Sequence, residues 1–352
     1  MPERHWLRTL GVELPVIQAP MAGAQDEELA CAVALAGGLG SLPCALLSPA
    51  AVAEQVQRYR EKTRAKVNLN FFCHRPPPPS LEALAAWRAR LEPYYREFAL
   101  GDAAAPAPAR RPFDAEMCAA VEALKPEVVS FHFGLPDPAL VARVRATGAT
   151  IVSSATTVAE ARALEAGGVH AIIAQGAEAG GHRGTFSSDG ADDPVLGTFA
   201  LLPQIVDAVR VPVIAAGGVA DARGVAAARA LGASAVQVGT AYLRTKESRI
   251  SAAHRSALAA VRDDSTRVTN VLTGRLARGI VNRVMRDFGN VDRAVPPFPL
   301  AAAALAPLRA HAEAAKSGDF SPLWAGQAAA LGGPTDAGEL TRLLASGWER
   351  GA

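Results

Sequence analysis

Short apolar runs recur along the chain, and each is followed by a stretch whose apolar positions fall at helical spacing. The runs are Val16 to Ala19, Leu39 to Cys44, Val67 to Phe72, Val128 to Phe133, Thr150 to Ser154, Ala171 to Ala174, Pro212 to Ala216 and Ala235 to Val238. Within VNLNFF, Asn68 and Asn70 alternate with apolar neighbours, so both side chains point the same way. Helix punctuation falls between the runs. Ser48-Pro49 reads as a cap with proline in the first turn, Thr157 with Glu160 as a capping box, and Asp221 as a further cap. Gly37-Gly38, Gly167-Gly168 and Gly232 read as stops. Eight strand–helix units predict an α/β fold, a TIM-like (β/α)8 barrel with its active site at the carboxyl ends of the strands. An open doubly wound sheet is the alternative. It calls for a GxGxxG turn after the first strand, where this chain has Pro20-Met21-Ala22-Gly23.

The alternation pauses between about residues 73 and 112. That stretch holds Pro76 to Pro79, an amphipathic segment near Leu81 to Phe98, and the Pro/Ala-rich GDAAAPAPARRP, and it reads as an insertion or lid. From Ser248 onward the chain is helical and punctuated by prolines. The expected division is therefore a barrel over 1–245, carrying the insertion, and a mainly helical region over 246–352 packing on the barrel mouth.

Composition narrows the function. The chain has 352 residues and a net charge of +2, without a long basic run, so a nucleic-acid partner is not indicated. No apolar stretch approaches a membrane span, and the N-terminal residues lack the apolar core of a signal peptide. Cys31, Cys44, Cys73 and Cys118 are scattered without metal-ligand spacing. A cytoplasmic protein without a metal is expected.

The candidate chemistry centres on Ala171 to Phe186, AIIAQGAEAGGHRGTF, in which an apolar run breaks into small residues and then presents His182. Taken alone, His182 reads either as a surface histidine beside a structural turn or as a group placed to meet a ligand. Two further glycine turns follow the last two runs: AAGGVAD, with Gly217 and Gly218, and QVGTAYL, with Gln237, Val238, Gly239 and Thr240. Loops after strands seven and eight of a barrel commonly bind phosphate through backbone N–H groups, and a helix N-terminus beyond adds a favourable dipole. A phosphate-bearing ligand is expected there. Asn70 and Gln175 end strands three and six, where amides hold a heteroaromatic ring by its edges or satisfy nearby loops. Met21 lies against a ring or simply packs. His132 reads as a satisfied core histidine; His74, His170, His254 and His311 read as peripheral. HExxH, GxSxG and P-loop patterns are missing.

VIQAPMAG, VNLNFF, AQGAEAGGHRGTF, PVIAAGGVAD and AVQVGTAYL, in this order, with the C-terminal SPLWAGQ, resemble the nitronate monooxygenases, formerly 2-nitropropane dioxygenases, of the class I type. The resemblance implies a barrel that binds FMN without a covalent link and oxidises alkyl nitronates with O2 to a carbonyl compound and nitrite. It implies a flavin site of Asn70, Gln175, Gly180, Gly181, Gly217, Gly218, Gln237, Val238, Gly239 and Thr240, lined by Met21 and by Trp324 to Gln327, with His182 as the catalytic histidine. The partners implied are a small nitronate or nitroalkane and O2, with neither nucleic acid nor membrane; a homodimer is left open. Tyrosine is sparse, and Phe298 stands in PPFPL where the family commonly has one, so a more apolar substrate pocket is expected. The rival on the same fold is a flavin-dependent NAD(P)H reductase acting on enoyl-acyl-carrier protein or quinone.

Overall fold

Eight parallel strands stand where the eight apolar runs predict them, in a computed structural model that describes residues 6–78, 80–101, 111–188 and 195–350. In chain order the strands are β1 (Val16–Gln18), β2 (Gly40–Pro43), β3 (Val67–Phe72), β4 (Val128–His132), β5 (Thr150–Ala155), β6 (Ala171–Gln175), β7 (Gly181–His182), β8 (Val213–Ala216), β9 (Ala235–Val238), β10 (Thr266–Thr269) and β11 (Ala277–Ile280). The helices are α1 (Glu27–Leu35), α2 (Pro49–Lys62), α3 (Leu81–Glu97), α4 (Ala115–Leu124), α5 (Pro138–Ala146), α6 (Val158–Ala166), α7 (Thr198–Ala208), α8 (Ala222–Ala230), α9 (Thr240–Leu243), α10 (Ala252–Ala259), α11 (Arg283–Phe288), α12 (Ala301–Ala314) and α13 (Ala337–Arg350). The large sheet runs β1-β9-β8-β6-β5-β4-β3-β2, and a parallel bridge from Ile17 to Leu39 joins its two ends. This is a TIM-like (β/α)8 barrel.

The period of two along each strand sorts side chains into two layers. Ile17, Leu39, Val128, Val152, Ile173, Ile214 and Ala235 fill the barrel interior. Val16, Leu69, Phe131, Ile172, Ala215, Val236 and Val238 face outward into the core shared with the helices. Above the apolar interior layer, the next inward positions bring Asn70, His132, Ser154, Gln175 and Gln237 to one cavity at the carboxyl end. The alternation that buries the barrel thus also builds the floor of the site.

Two helix starts follow the expected caps, Ser48 accepting from Ala51 N and Asp221 from Arg223 N and Gly224 N, and Asp137 caps a third by accepting from Ala139 N. The capping box at Thr157 is only half formed. Thr157 Oγ1 accepts from Glu160 N, but the Glu160 carboxylate turns to Thr156 and to Phe186–Ser187 instead of the cap's own N–H.

The insertion helix α3 packs against α12, not alone. Trp87, Leu91, Tyr94 and Tyr95 form a second core with residues of the C-terminal region, among them Met285, Leu305, Leu308 and Phe320. Trp87 Nε1 donates to Ala301 O at 3.3 Å and the Tyr95 hydroxyl to Ala304 O at 2.6 Å. Most of the Pro/Ala-rich piece, residues 102–110, lies outside the described residues, as does Pro79. The C-terminal region is not wholly helical: β10 and β11 form an antiparallel sheet with β7. Its last helix also returns to the barrel, where Leu340, Leu344 and Trp348 join the outer core beside α8 and α1. Among the described residues, no helix is long and apolar enough to cross a membrane.

Candidate active site

A cavity of about 460 Å³ opens at the carboxyl ends of the strands, within the range of about 300 to 1,000 Å³ usual for small-molecule and cofactor sites. Met21, Asn70, Gln175, Gly180, Gly181, His182, Gly217, Gly218, Gln237, Gly239, Thr240 and Trp324, all singled out in the sequence, line it. Two others do not. Val238 is buried in the outer core, because alternation from Gln237 turns it away from the barrel interior. Gln327 is exposed; only its backbone contributes, N–H donating to Glu178 O at 2.9 Å.

The His182 segment, read in the sequence as the tip of a loop, is an edge strand. His182 pairs with Ala277, and Gly181 with Arg278. Its backbone carbonyl accepts from Gln175 Nε2 at 3.0 Å and lies 3.1 Å from His132 Nε2. Gln175 Oε1 in turn accepts from Gly184 N at 2.7 Å, so one amide grips the segment on both sides of Arg183. The His182 ring lies 3.0 Å, through Nε2, from Thr273 Oγ1. Four aromatic rings meet it edge-on: Phe298 at 5.2 Å, Trp324 at 5.4 Å, Phe133 at 6.1 Å and Phe72 at 6.4 Å between centroids.

Of these rings Phe72 and Trp324 line the cavity, whereas Phe133 and Phe298 are buried and do not. All four tyrosines serve the framework: Tyr59 bonds Lys66 O, Tyr94 bonds Asp287, Tyr95 bonds Ala304 O and Tyr242 bonds Thr341. Phe298 reaches His182 because its segment passes close against the turn at Gly274, where a Cβ would lie 2.7 Å from Phe298 N.

Two histidines need reassignment, and a third, His132, bonded at both ring nitrogens, is the satisfied histidine expected. His132 lines the cavity, with Nδ1 3.1 Å from Ser154 Oγ, and burial pushes its pKa down to about 4. Its position two residues beyond Ser130 on an inward-facing register was the signal for this. His254, read as peripheral, lies on the cavity wall and bonds Trp324 O at 3.1 Å; burial lowers its pKa to about 4 as well. His74, also read as peripheral, is buried with its ring 4.9 Å from that of Phe298.

The residues fit a planar cofactor carrying a phosphate. Asn70 Nδ2 is spent on Ser130, at 2.9 Å from Oγ, while Oδ1 takes no hydrogen bond among the described residues. The Gln237 amide, on the cavity wall, likewise bonds no described residue. Gly217 and Gly218 have φ of +104° and +75°, and a Cβ at Gly218 would have no neighbour nearer than 3.6 Å, so that backbone lies open to the cavity side. Asp221 satisfies the first N–H groups of α8, so the loop glycines rather than that helix's terminus are what remains to meet a phosphate. Gly180 has a different duty: a Cβ there would lie 2.6 Å from Gly326 N, so its smallness admits the C-terminal wall. Met21 is placed by Gln25, whose Oε1 accepts from Met21 N at 3.0 Å within a buried network with Gln18 and Ser41.

A barrel whose strand ends close on an amide-lined cavity, with glycine turns after its last two strands and an imidazole on the wall, defines a cofactor-dependent barrel enzyme. The family model described as nitronate monooxygenase matches residues 5–346, and the chain belongs to that family of oxidoreductases. It is 40% identical to a nitronate monooxygenase of Paraburkholderia phytofirmans, covering 97% of this chain and 94% of the relative. It is 39% identical to one of Pseudomonas aeruginosa, covering 97% of each. Among solved structures, a nitroalkane oxidase from Streptomyces ansochromogenes superposes with a TM-score of 0.89 at 36% identity, over 98% of both chains. FabK from Thermotoga maritima, at 24% identity and a TM-score of 0.74, over 99% of this chain and 96% of its own, shares the fold.

Proposed function

We propose that the chain oxidises alkyl nitronates, and neutral nitroalkanes by way of their nitronates, using FMN as its flavin and O2 as oxidant, to a carbonyl compound and nitrite. The observation that carries this reading is the placing of His182: an imidazole fixed at backbone and ring, beside apolar aromatics, on the wall of a cavity whose floor offers unspent amides. Family membership supports the flavin and the nitro substrate.

Asn70 Oδ1 and the Gln237 amide would hold the edges of the flavin ring, with Met21 and Gly239 beside it. Backbone at Gly217 and Gly218, with Thr240, would hold the phosphate. FMN, when bound, supplies the electron transfer between substrate and O2. Phe72 and Trp324, on the cavity wall, would exclude water and seat the alkyl part of the substrate, with Phe298 packed against the His182 ring. His182 takes the α-proton of a neutral nitroalkane, and in its protonated form donates a hydrogen bond to the anionic nitro group of a nitronate.

Product analysis of the purified enzyme after denaturation and after aerobic turnover tests this. FMN in the supernatant, with nitrite and a carbonyl compound formed from a small alkyl nitronate, is the expected result. A protein that takes up no FMN, or consumes nitronate without releasing nitrite, overturns it.

A further inference from the structure

The ring of His182 has a partner that the roles above do not use. Thr273 Oγ1 lies 3.0 Å from His182 Nε2 and also 3.3 Å from Arg275 O. Thr273 is 2% exposed, in the turn joining β10 to β11. That turn is held rigidly. Asn270 O accepts from Thr273 N and Gly274 N, and the Asn270 side chain clasps the backbone of Asp292 through both its amide and its carbonyl at 2.9 Å. A carbonyl only accepts. With the hydroxyl proton lying toward Arg275 O, Thr273 offers a lone pair to His182, and Nε2 must then carry a proton.

We propose that Thr273 is a positioning residue for proton abstraction: it keeps His182 protonated at Nε2 and stabilises the imidazolium that forms when Nδ1 takes the substrate proton. This rests on the reading of His182 as base. In the step, the α C–H bond of the nitroalkane breaks and its electron pair becomes the C=N bond of the nitronate. The negative charge moves to the nitro oxygens, and the proton forms the Nδ1–H bond. The imidazolium then donates through Nε2 to Thr273, which donates to the Arg275 carbonyl, so the new charge meets a filled chain of hydrogen bonds.

Charged and titratable groups stand on the elements around His182. Arg183 follows in the same segment, Arg278 is buried on β11, and the Arg275 guanidinium lies over the Phe133 ring at 4.0 Å. From β4 comes His132 and from α10 comes His254, behind Trp324; both are held neutral by burial. His74 stands beyond Phe298. The carboxylate of Glu178, earlier in the segment, is engaged by Thr198 N and Oγ1.

The test compares Thr273→Val with Thr273→Ser in the FMN-loaded enzyme, Thr273→Ala replacing valine should that variant not fold. Removing the hydroxyl is expected to lower kcat/KM on a neutral nitroalkane by about 10- to 100-fold, the worth of one hydrogen bond to a charged group. Turnover of preformed nitronate is expected to change less than about threefold. Histidine-selective NMR titration of the same samples is expected to show the His182 midpoint moved to lower pH, with serine restoring both readouts. An unmoved midpoint, or equal losses on both substrates that serine fails to rescue, overturns the proposal. Failure of the underlying reading has a different sign: His182→Asn in the otherwise unchanged enzyme would then lower both substrates equally.

Discussion

His132 Nε2 lies 3.1 Å from the backbone carbonyl of His182, and because a carbonyl only accepts, His132 carries its proton on that nitrogen. Its Nδ1 is then the acceptor for the Ser154 hydroxyl at 3.1 Å, so a single neutral tautomer serves both partners. Burial lowers its pKa from the ordinary 6.5 to about 4. His254, which grips Trp324 in the same way, is lowered equally. The consequence is acid sensitivity of a stated sign. The unfolded chain binds these protons below pH 6.5 while the folded chain refuses them until about pH 4. The stability that rests on the neutral forms is complete above pH 6.5 and falls as the pH drops from there to about 4. Urea unfolding across that window should show the decline, and stability that stays level over it contradicts the assignment.

The second prediction concerns Glu160, whose carboxylate is 1% exposed. It accepts from Thr156 N at 2.7 Å, Thr156 Oγ1 at 2.8 Å, Phe186 N at 2.7 Å, Ser187 N at 3.1 Å and Ser187 Oγ at 3.0 Å. These bonds tie the end of the His182 segment to the start of α6. Glu160→Ala leaves five donors to find other partners and is expected to cost about 2 to 4 kcal/mol of unfolding free energy. Denaturant melts of the two proteins measure it. A loss no larger than that of an ordinary surface substitution would show that the anchor is dispensable.

How far the sequence reaches follows from period and register. Each of the eight barrel strands is short, apolar and bounded by helix caps or glycines, so strand positions were legible. Alternation put Asn68 and Asn70 on one face and pointed His132 inward with Ser130, and its use from Gln237 would have sent Val238 outward. Long-range pairing was not legible. Nothing local marks Gly181–His182 as an edge strand, because its partner Ala277–Arg278 lies far along the chain. For the same reason Thr273, Phe298 and His254 reach the site only through tertiary packing. The Thr157–Glu160 signature was correctly placed at a helix start, yet tertiary donors at 186–187 outcompeted the local bond.

The proposed phosphate cradle gives a third prediction. At Gly218, φ is +75° and a Cβ has room, so a side chain there would intrude on the cavity rather than on the fold. Gly218→Val is expected to weaken FMN binding by about tenfold or more, since backbone must approach phosphate oxygens closely. The left-handed backbone adds strain of about 1 to 2 kcal/mol. Gly148, with φ of +85° and open space around it on the turn before β5, provides the control. Gly148→Val should lose stability and keep FMN. Equal flavin affinity in the two variants would move the phosphate elsewhere.

Anaerobic mixing tests the central claim most directly. An oxidase of nitronates draws both electrons from its organic substrate, whereas a nicotinamide-dependent reductase must bring a dinucleotide's hydride to within about 3 to 3.5 Å of the flavin. In the proposed reading the glycine turns at Gly217–Gly218 and Gly239 hold FMN, and the segment from Trp324 to Gly326 is laced to Arg278 and Thr240 across the mouth. The flavin absorbance of the purified protein, followed without oxygen, should bleach readily on addition of a small alkyl nitronate and negligibly with NADH or NADPH. Rapid bleaching by a reduced nicotinamide, with no response to nitronate, would contradict the account and make the chain a reductase.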